Sequence, residues 1–254
     1  MKVALVGYGK MGRAVEAVLR DRRHRIAAVV DPEAPGARRR LDPKRLGGAE
    51  VAFEFTRPDA APANVRLLLE AGISVVCGTT GWDGSAPEVR RWARAGKAGL
   101  VVAPNFSVGV LLFQRLVEDA ARRLFPTGMF DPTVLEAHHR GKVDAPSGTA
   151  SKLAGAIAKT WGGAVIEGNA VLPVPHGAVH VASLRAGHEA GTHTVGFEGA
   201  HDSISLTHRA RGREGFALGA VLAAEWVRGR RGVHGIDAVV DGVLSGGRGK
   251  GGGR

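Results

Sequence analysis

The sequence predicts an α/β protein: a parallel-sheet domain first, then a second, α+β domain with a mixed or antiparallel sheet. Three observations lead there. Over residues 1–106, short apolar runs alternate with helix-period stretches, which is the pattern of βαβ units and a parallel sheet. Runs such as VALV (residues 3–6) and ISVVC (residues 73–77) are continuously apolar, as strands covered on both faces are. Beyond residue 107 the rhythm changes to a long amphipathic helix and then to strand-like runs with no helices between them, which implies a second sheet that is not purely parallel.

Taken in order, residues 3–6, 26–30, 51–55, 73–77 and 100–102 read as strands, and 11–23, 59–71 and 86–95 as helices. Residues 108–125 read as one helix, 133–137 as a short strand and 149–160 as a helix after a polar loop. Strand-like runs follow at 178–184, 192–197 and 203–207, and helix returns at 214–227. The first domain is therefore expected over 1–106, completed by 217–245, with a second domain over 107–216. The Gly-rich, basic end, 246–254, is expected to be a flexible tail.

With 44% hydrophobic and 23% charged residues, the chain can bury a core and is not of the disordered type. Its apolar runs are far too short to span a bilayer, so no membrane partner is expected. The basic start and short apolar run at the N-terminus read as a first strand, not a targeting signal. The lone cysteine, Cys77, allows no intrachain disulfide and fits a reducing, cytoplasmic setting. The formal charge of +11 invites a nucleic-acid reading. The cations are scattered, however, and aromatics make up only 5% of the chain, so stacking platforms are scarce and no nucleic-acid partner is expected. A positive field also attracts a small anionic substrate and a phosphorylated cofactor.

The run Gly7-Tyr8-Gly9-Lys10-Met11-Gly12 matches G-x-G-x-x-G, after a predicted strand and at the opening of a predicted helix. This makes the first domain Rossmann-type: Gly7 for the tight turn, Gly9 for close approach of a pyrophosphate, Gly12 for helix–sheet packing. Asp31 ends the second strand, where a carboxylate accepts from a ribose 2′-hydroxyl and favours NADH. Lys10 and the arginines at 38–40 can instead pair with the 2′-phosphate of NADPH. NADH and/or NADPH are therefore expected, unranked. Further strand ends carry Phe55, Thr56, Arg57 and Pro58, then Gly78, Thr79, Thr80 and Gly81, then Asn105 and Phe106. Ligands bind outside the carboxyl ends of such strands. Thr79 and Thr80 offer hydroxyls near a nicotinamide, and Asn105 suits a carboxamide.

The richest chemistry lies in EAHHRGKVDAPSGTA, residues 136–150. His138 and His139 are suited to proton donation near neutral pH. Lys142 supplies a compact cation. Ser147, Gly148 and Thr149 open a helix, where hydroxyls and free N–H groups can hold an anion. Two anion-binding devices beside a proton donor suggest a substrate with carboxylates and one reducible carbon. Adjacent strand residues point to opposite faces, so the two histidines share a site only if the strand ends near them. His176, His180, His188 and His193 are spread out with no clustered thiol or carboxylate partners, so no metal site is expected.

These segments, in this order, resemble the dihydrodipicolinate reductase family: GYGKMG, FTRP, GTTG, PNFSVGV, EAHHRGKVDAPSGTA, HTVGF, SLTHRA and REGFALGA. The resemblance runs from Val3 to about Trp226. It implies that His138 protonates the substrate, that Lys142 assists, and that His139, Ser147, Gly148 and Thr149 bind the substrate. It places Gly78, Thr80 and Asn105 beside nicotinamide and substrate. It further implies reduction of a cyclic imine dicarboxylate to tetrahydrodipicolinate in lysine biosynthesis via diaminopimelate, by a homotetramer joined through the second domain's sheet. Pro32 after Asp31 and the arginine-rich loop beyond it depart from the family pattern, so its cofactor preference does not carry over; Leu111 stands where some relatives carry a polar residue. Two other readings stay open. One is a reductase acting on a different imine or amino acid, similar to an aspartate dehydrogenase; the other is a non-catalytic nucleotide sensor, which needs no proton donor beside an anion pocket.

Overall fold

In a computed structural model of the chain, which describes residues 1–168 and 173–247, the elements run β1 (Lys2–Val6), α1 (Lys10–Asp21), β2 (Arg25–Val30), β3 (Val51–Glu54), α2 (Ala61–Glu70), β4 (Ser74–Cys77), α3 (Pro87–Ala95), β5 (Gly99–Val102), α4 (Val108–Leu124), β6 (Phe130–His138), α5 (Gly148–Trp161), β7 (Val165–Glu167), β8 (Val179–Arg185), β9 (Thr192–Gly199), β10 (Ser203–Arg209), α6 (Glu214–Val227), β11 (Gly232–His234) and α7 (Ile236–Gly247). They form two units, Met1–Val108 with the segment from Arg213 onward, and Gly109–Gly212.

The first unit is built on a six-stranded sheet in the order β11-β5-β4-β3-β1-β2, with every neighbouring pair parallel. Because side chains alternate along a strand, Ala4 and Val6 join Ala52, Val75, Leu68 and Leu100 in the core under α2 and α3. Val3 and Leu5, also fully buried, face the other side, where α1 and α6 pack. Helix α6 comes from the far end of the chain. A Cβ on its Gly219 would stand 1.7 Å from the Phe106 carbonyl oxygen, so only glycine lets the helix lie this close. The chain leaves β1 for β2 on one side and then returns to place β3 on the other. That reversal opens a crevice at the carboxyl end of β1, where such sheets bind ligands.

The second unit has a five-stranded sheet in the order β10-β9-β6-β8-β7. β6 pairs parallel with β8 and antiparallel with β9, so the sheet is mixed. Helices α4 and α5 cover one face. Phe113, Val117, Leu153, Ile157 and Trp161 pack there on Val134, Val181, Val195 and Phe197. On the opposite face Leu135 and Leu184 are 52% and 56% exposed.

Several elements differ from expectation. β6 extends beyond the predicted 133–137 at both ends, because its ladder with β9 continues to Phe130 and its pairing with β8 to His138. β7 and β11 escape a periodicity reading because each has only three residues and is an edge strand held by pairing to a single neighbour. The chain returns to the first unit at Arg213, ahead of 217. Helix α7 was not foreseen. Ile236, Val239 and Val240 bury its inner side, and it runs through Gly247, into the stretch expected to be a tail; residues 248–254 lie outside the described residues.

Candidate active site

In the first unit the glycine turn has the geometry a dinucleotide requires. Gly7 has φ +91°, a left-handed value that favours glycine, and its N–H bonds the Val30 carbonyl at 2.9 Å. A Cβ there would meet the Phe55 oxygen at 2.1 Å; on Gly12 it would meet the Gly7 oxygen at 2.3 Å. Gly9 has nothing within 4 Å of the same position. It is the N-cap of α1 and makes no side-chain cap bond, so the first-turn N–H groups face open space suited to phosphate. Lys10 is exposed and Met11 half-buried beside it. These residues fit a dinucleotide.

Asp31 accepts backbone N–H groups from Tyr8 at 2.7 Å, Glu33 at 2.8 Å and Ala34 at 3.0 Å. The Tyr8 bond foremost holds its carboxyl below the usual aspartate range, so it presents a fixed negative charge. The arginine run lies alongside, since Arg38 exchanges backbone bonds with Val29 and Asp31 at 2.9 Å each.

The strand-end loops are tied together by a residue the sequence reading passed over. Glu54 is fully buried at the end of β3. It accepts from the Thr56 hydroxyl, from Thr79 Oγ1 at 2.6 Å, from Asn64 Nδ2 at 3.2 Å and from the Cys77 thiol at 3.3 Å. Thr79 Oγ1 also accepts the Thr56 N–H at 2.8 Å. The Thr79 side chain, expected near a nicotinamide, is therefore buried and engaged in joining two loops, whereas Thr80 is exposed. Gly78 is glycine because the Phe55 ring lies on it: a Cβ would meet that ring at 2.1 Å. Phe55 also packs edge-on against buried Phe106. Arg57 pairs with Asp59 at 3.3 Å on the surface. Asn105 accepts the Ser107 N–H at 2.7 Å through Oδ1, which leaves its amide N–H₂ directed elsewhere.

In the second unit the pleat of β6 assembles the chemistry. Its inward residues are Phe130, Pro132, Val134, Glu136 and His138, an apolar series that ends in an acid and an imidazole side by side. His138 Nδ1 is hydrogen-bonded to Glu136 Oε2. Arg185 NH2 donates to Glu136 Oε1 at 2.7 Å and to the Asp144 carbonyl at 2.5 Å. Burial works against the Glu136 charge, but the bonds from Arg185, Ser183 and His138 outweigh it and hold the carboxyl below its usual range. Burial lowers the His138 pKa, opposed by the Glu136 charge. β6 ends at His138, and His139 turns out of the strand, exposed, its N–H donating to the Glu189 carbonyl at 2.8 Å. Lys142 follows in the same loop, paired with Asp144 at 2.7 Å.

Ser147 is the N-cap of α5, its Oγ accepting the Ala150 N–H at 3.2 Å. The same oxygen lies 3.0 Å from His193 Nε2. The hydroxyl expected to grip a carboxylate is thus buried and engaged on both sides. The turn's outward offer to an anion is the exposed Gly148 and half-buried Thr149 at the helix N-terminus.

His193 corrects the picture of scattered histidines. It stands opposite Glu136 across the β6–β9 ladder, its ring edge-on to His138 with centroids 5.1 Å apart. Burial, with the His138 charge next, pushes its pKa down to about 4. Its carboxylate neighbour is distant in sequence, which is why the residues alone did not reveal it. Glu136, His138 and His193 each bring a donor atom within 4.8 Å of the others, a separation that suits a metal ion. The Arg185 guanidinium already neutralises that carboxylate and opposes a second cation, so the cluster reads as a hydrogen-bonded network.

A parallel sheet with an open glycine turn in one unit and an acid-paired histidine in the other define a dinucleotide-dependent oxidoreductase. Comparison with known proteins specifies it. Residues 1–106 match the family described as dihydrodipicolinate reductase, N-terminus, and residues 109–240 its C-terminus. The chain belongs to the dihydrodipicolinate reductase family. It is 33% identical to the 4-hydroxy-tetrahydrodipicolinate reductase of Christiangramia forsetii, over 92% of this chain and 95% of the relative. Identity to that of Ralstonia nicotianae is 35%, over 94% and 99%. Among solved structures, a dipicolinate-bound dihydrodipicolinate reductase from a Paenisporosarcina species superposes with a TM-score of 0.75 at 25% identity, over 92% of this chain and 97% of that one. A protein from gentamicin A biosynthesis, solved in complex with NAD, shares the fold, with a TM-score of 0.60 at 17% identity, over 100% and 95%.

Proposed function

We propose that this chain is a 4-hydroxy-tetrahydrodipicolinate reductase, reducing a cyclic imine dicarboxylate to tetrahydrodipicolinate on the route to diaminopimelate and lysine. The observation that carries this reading is the acid-paired His138 at the end of β6, followed by Lys142 and the N-terminus of α5. Gly7, Gly9, Lys10, Met11 and Gly12 hold the cofactor phosphates and Asp31 its ribose, with Phe55, Arg57, Gly78, Thr80, Asn105 and Phe106 at the nicotinamide end. The reduced nicotinamide, when bound, supplies the hydride. Lys142, His139 and the Gly148–Thr149 turn hold the substrate's carboxylates. His138 gives the proton, a contribution on the order of 10²–10⁴-fold. A dianion beside His138 favours the imidazolium, so substrate binding itself loads the acid. Asp31 supports NADH and the adjoining arginines support NADPH, so both serve.

The exposed Leu135 and Leu184 on the helix-free face of the second sheet support a homotetramer joined through that sheet. No described helix is long and apolar enough to cross a membrane, and the reading places the enzyme in the cytoplasm. The deciding experiment is a coupled assay in which the upstream synthase generates the imine in situ. Oxidation of NADH and of NADPH that depends on the synthase product is expected; absence of both would refute the reading.

A further inference from the structure

The reductase reading assigns His138 a proton to deliver but leaves open which ring nitrogen delivers it and what holds the ring. We infer that Glu136, anchored by Arg185, is a positioning residue that keeps the hydrogen on His138 Nδ1 and leaves Nε2 as the atom that carries the proton to the substrate; this rests on the proposed reductase function. Three independent features converge on it.

First, Glu136 has no exposed surface and both its oxygens are engaged, Oε2 by His138 and Oε1 by Arg185 at 2.7 Å. An ionised carboxylate can only accept, so the hydrogen between Glu136 and His138 belongs to Nδ1. Second, Arg185 stands opposite His138 in the β6–β8 register and is itself fixed by the Asp144 carbonyl at 2.5 Å. The carboxylate is therefore clamped from the neighbouring strand, and the clamp reaches into the loop that carries Lys142. Third, the far side of the imidazole is kept open by a glycine. Gly191 has φ +142°, and a Cβ on it would stand 2.9 Å from His138 Nε2 and 3.2 Å from Cδ2. Any side chain there would crowd the nitrogen left to do the chemistry, whereas Nδ1 is buried against its acid. The arrangement follows the general rule that the partner of one ring nitrogen fixes the role of the other.

In the proposed step the substrate accepts hydride at carbon from the reduced nicotinamide, which is thereby oxidised. The Nε2–H bond of the imidazolium breaks, and its proton goes to the substrate atom left with the electron pair. His138 returns to the neutral Nδ1–H form, still bonded to Glu136, and solvent restores the Nε2 proton for the next turnover. The charged and titratable groups around the ring are Glu136 on its own strand, Arg185 on β8, His193 on β9 and Lys142 in the following loop.

The test begins with a readout that needs no turnover. Nitrogen-15 NMR of the full-length protein labelled at histidine, with His138 assigned by its loss in His138→Gln, should show the neutral ring protonated at Nδ1. In Glu136→Gln a mixture with the Nε2–H form is expected. A wild-type ring protonated at Nε2 would overturn the inference, whether or not the chain reduces the imine. Kinetics then address the role. Glu136→Gln should lower kcat about 100-fold, while the affinities for NADH and for pyridine-2,6-dicarboxylate stay within threefold. A kcat unchanged in Glu136→Gln would also overturn it, and the coupled assay on the wild type separates that result from failure of the reductase reading. Should Glu136→Gln fold poorly, Arg185→Met loosens the same clamp from the half-buried side. There a partial loss of Nδ1–H preference with reduced kcat is expected, and an unaltered ring with full kcat would count against the clamp.

Discussion

At His138, burial favours the neutral ring while the Glu136 carboxylate favours the charged one. Such opposition leaves the ring responsive to a bound dianion. Replacing it with Gln should lower kcat by roughly 10²–10⁴-fold with cofactor affinity unchanged, measured by the coupled assay and by nucleotide fluorescence titration. Lys142→Ala should raise the KM for the imine as well as lower kcat, because on the proposed reading the same ammonium holds the substrate and faces developing charge; an unaltered KM would return it to the role of a surface partner for Asp144. Asp31→Ala removes a carboxylate already fixed by Tyr8, Glu33 and Ala34. A hydrogen bond to a charged group contributes about 1.5–3 kcal/mol. NADH binding should therefore weaken by about tenfold or more, and NADPH binding by much less, in isothermal titrations with each nucleotide.

At the level of elements, two helix starts do opposite work. Helix α1 begins on Gly9 with no side chain across its first turn, leaving its N–H groups to a ligand. Helix α5 begins on Ser147, whose hydroxyl closes the turn and reaches His193. Ser147→Ala should lower stability by about 1 kcal/mol through loss of the cap, seen as a lower Tm, and should disturb His193 before it disturbs any contact to substrate. β6 shows how strand periodicity builds a site. The residues that alternate inward are core as far as Val134 and chemistry thereafter, so the imidazole inherits the rigidity of the sheet.

For the whole molecule, acid stability hangs on the buried network. His193 is held neutral, with its pKa pushed down to about 4, whereas in the unfolded chain the imidazole takes up a proton below about pH 6.5. The unfolded state thus binds more protons between these values, and stability rises with pH across that window. Stability should be full above about pH 6.5 and decline as pH falls toward about 4, the separation corresponding to about 3 kcal/mol. Urea midpoints across this range should fall less steeply for His193→Gln than for the wild type; parallel curves would show that the group titrates alike in both states. Assembly belongs to the same scale. If the proposed tetramer forms through this face, Leu135→Glu combined with Leu184→Lys should shift sedimentation to smaller species without loss of helix content, since both side chains lie on the sheet face away from α4 and α5; unchanged sedimentation would refute that interface.

The chain's periodicities and motifs determined by themselves that strands 3–6 to 100–102 make a parallel sheet, and they singled out Gly7, Gly9 and Gly12 as its candidate dinucleotide turn and residues 136–150 as the candidate chemistry. Such signals are local: a glycine spacing or an apolar run needs only its neighbours in sequence to be read. Tertiary structure alone decided that Glu136 and Arg185 bracket His138, that His193 lies beside it, that Thr79 and Ser147 turn their hydroxyls inward, and that Glu54 joins the loops that follow β3 and β4. His138, Arg185 and His193 come from three different strands, and Thr79 and Ser147 from a loop and a helix start, so which of them become neighbours is set by sheet order, register and the packing of the connections. A one-residue change of register would turn the strand-borne side chains among them to the other face.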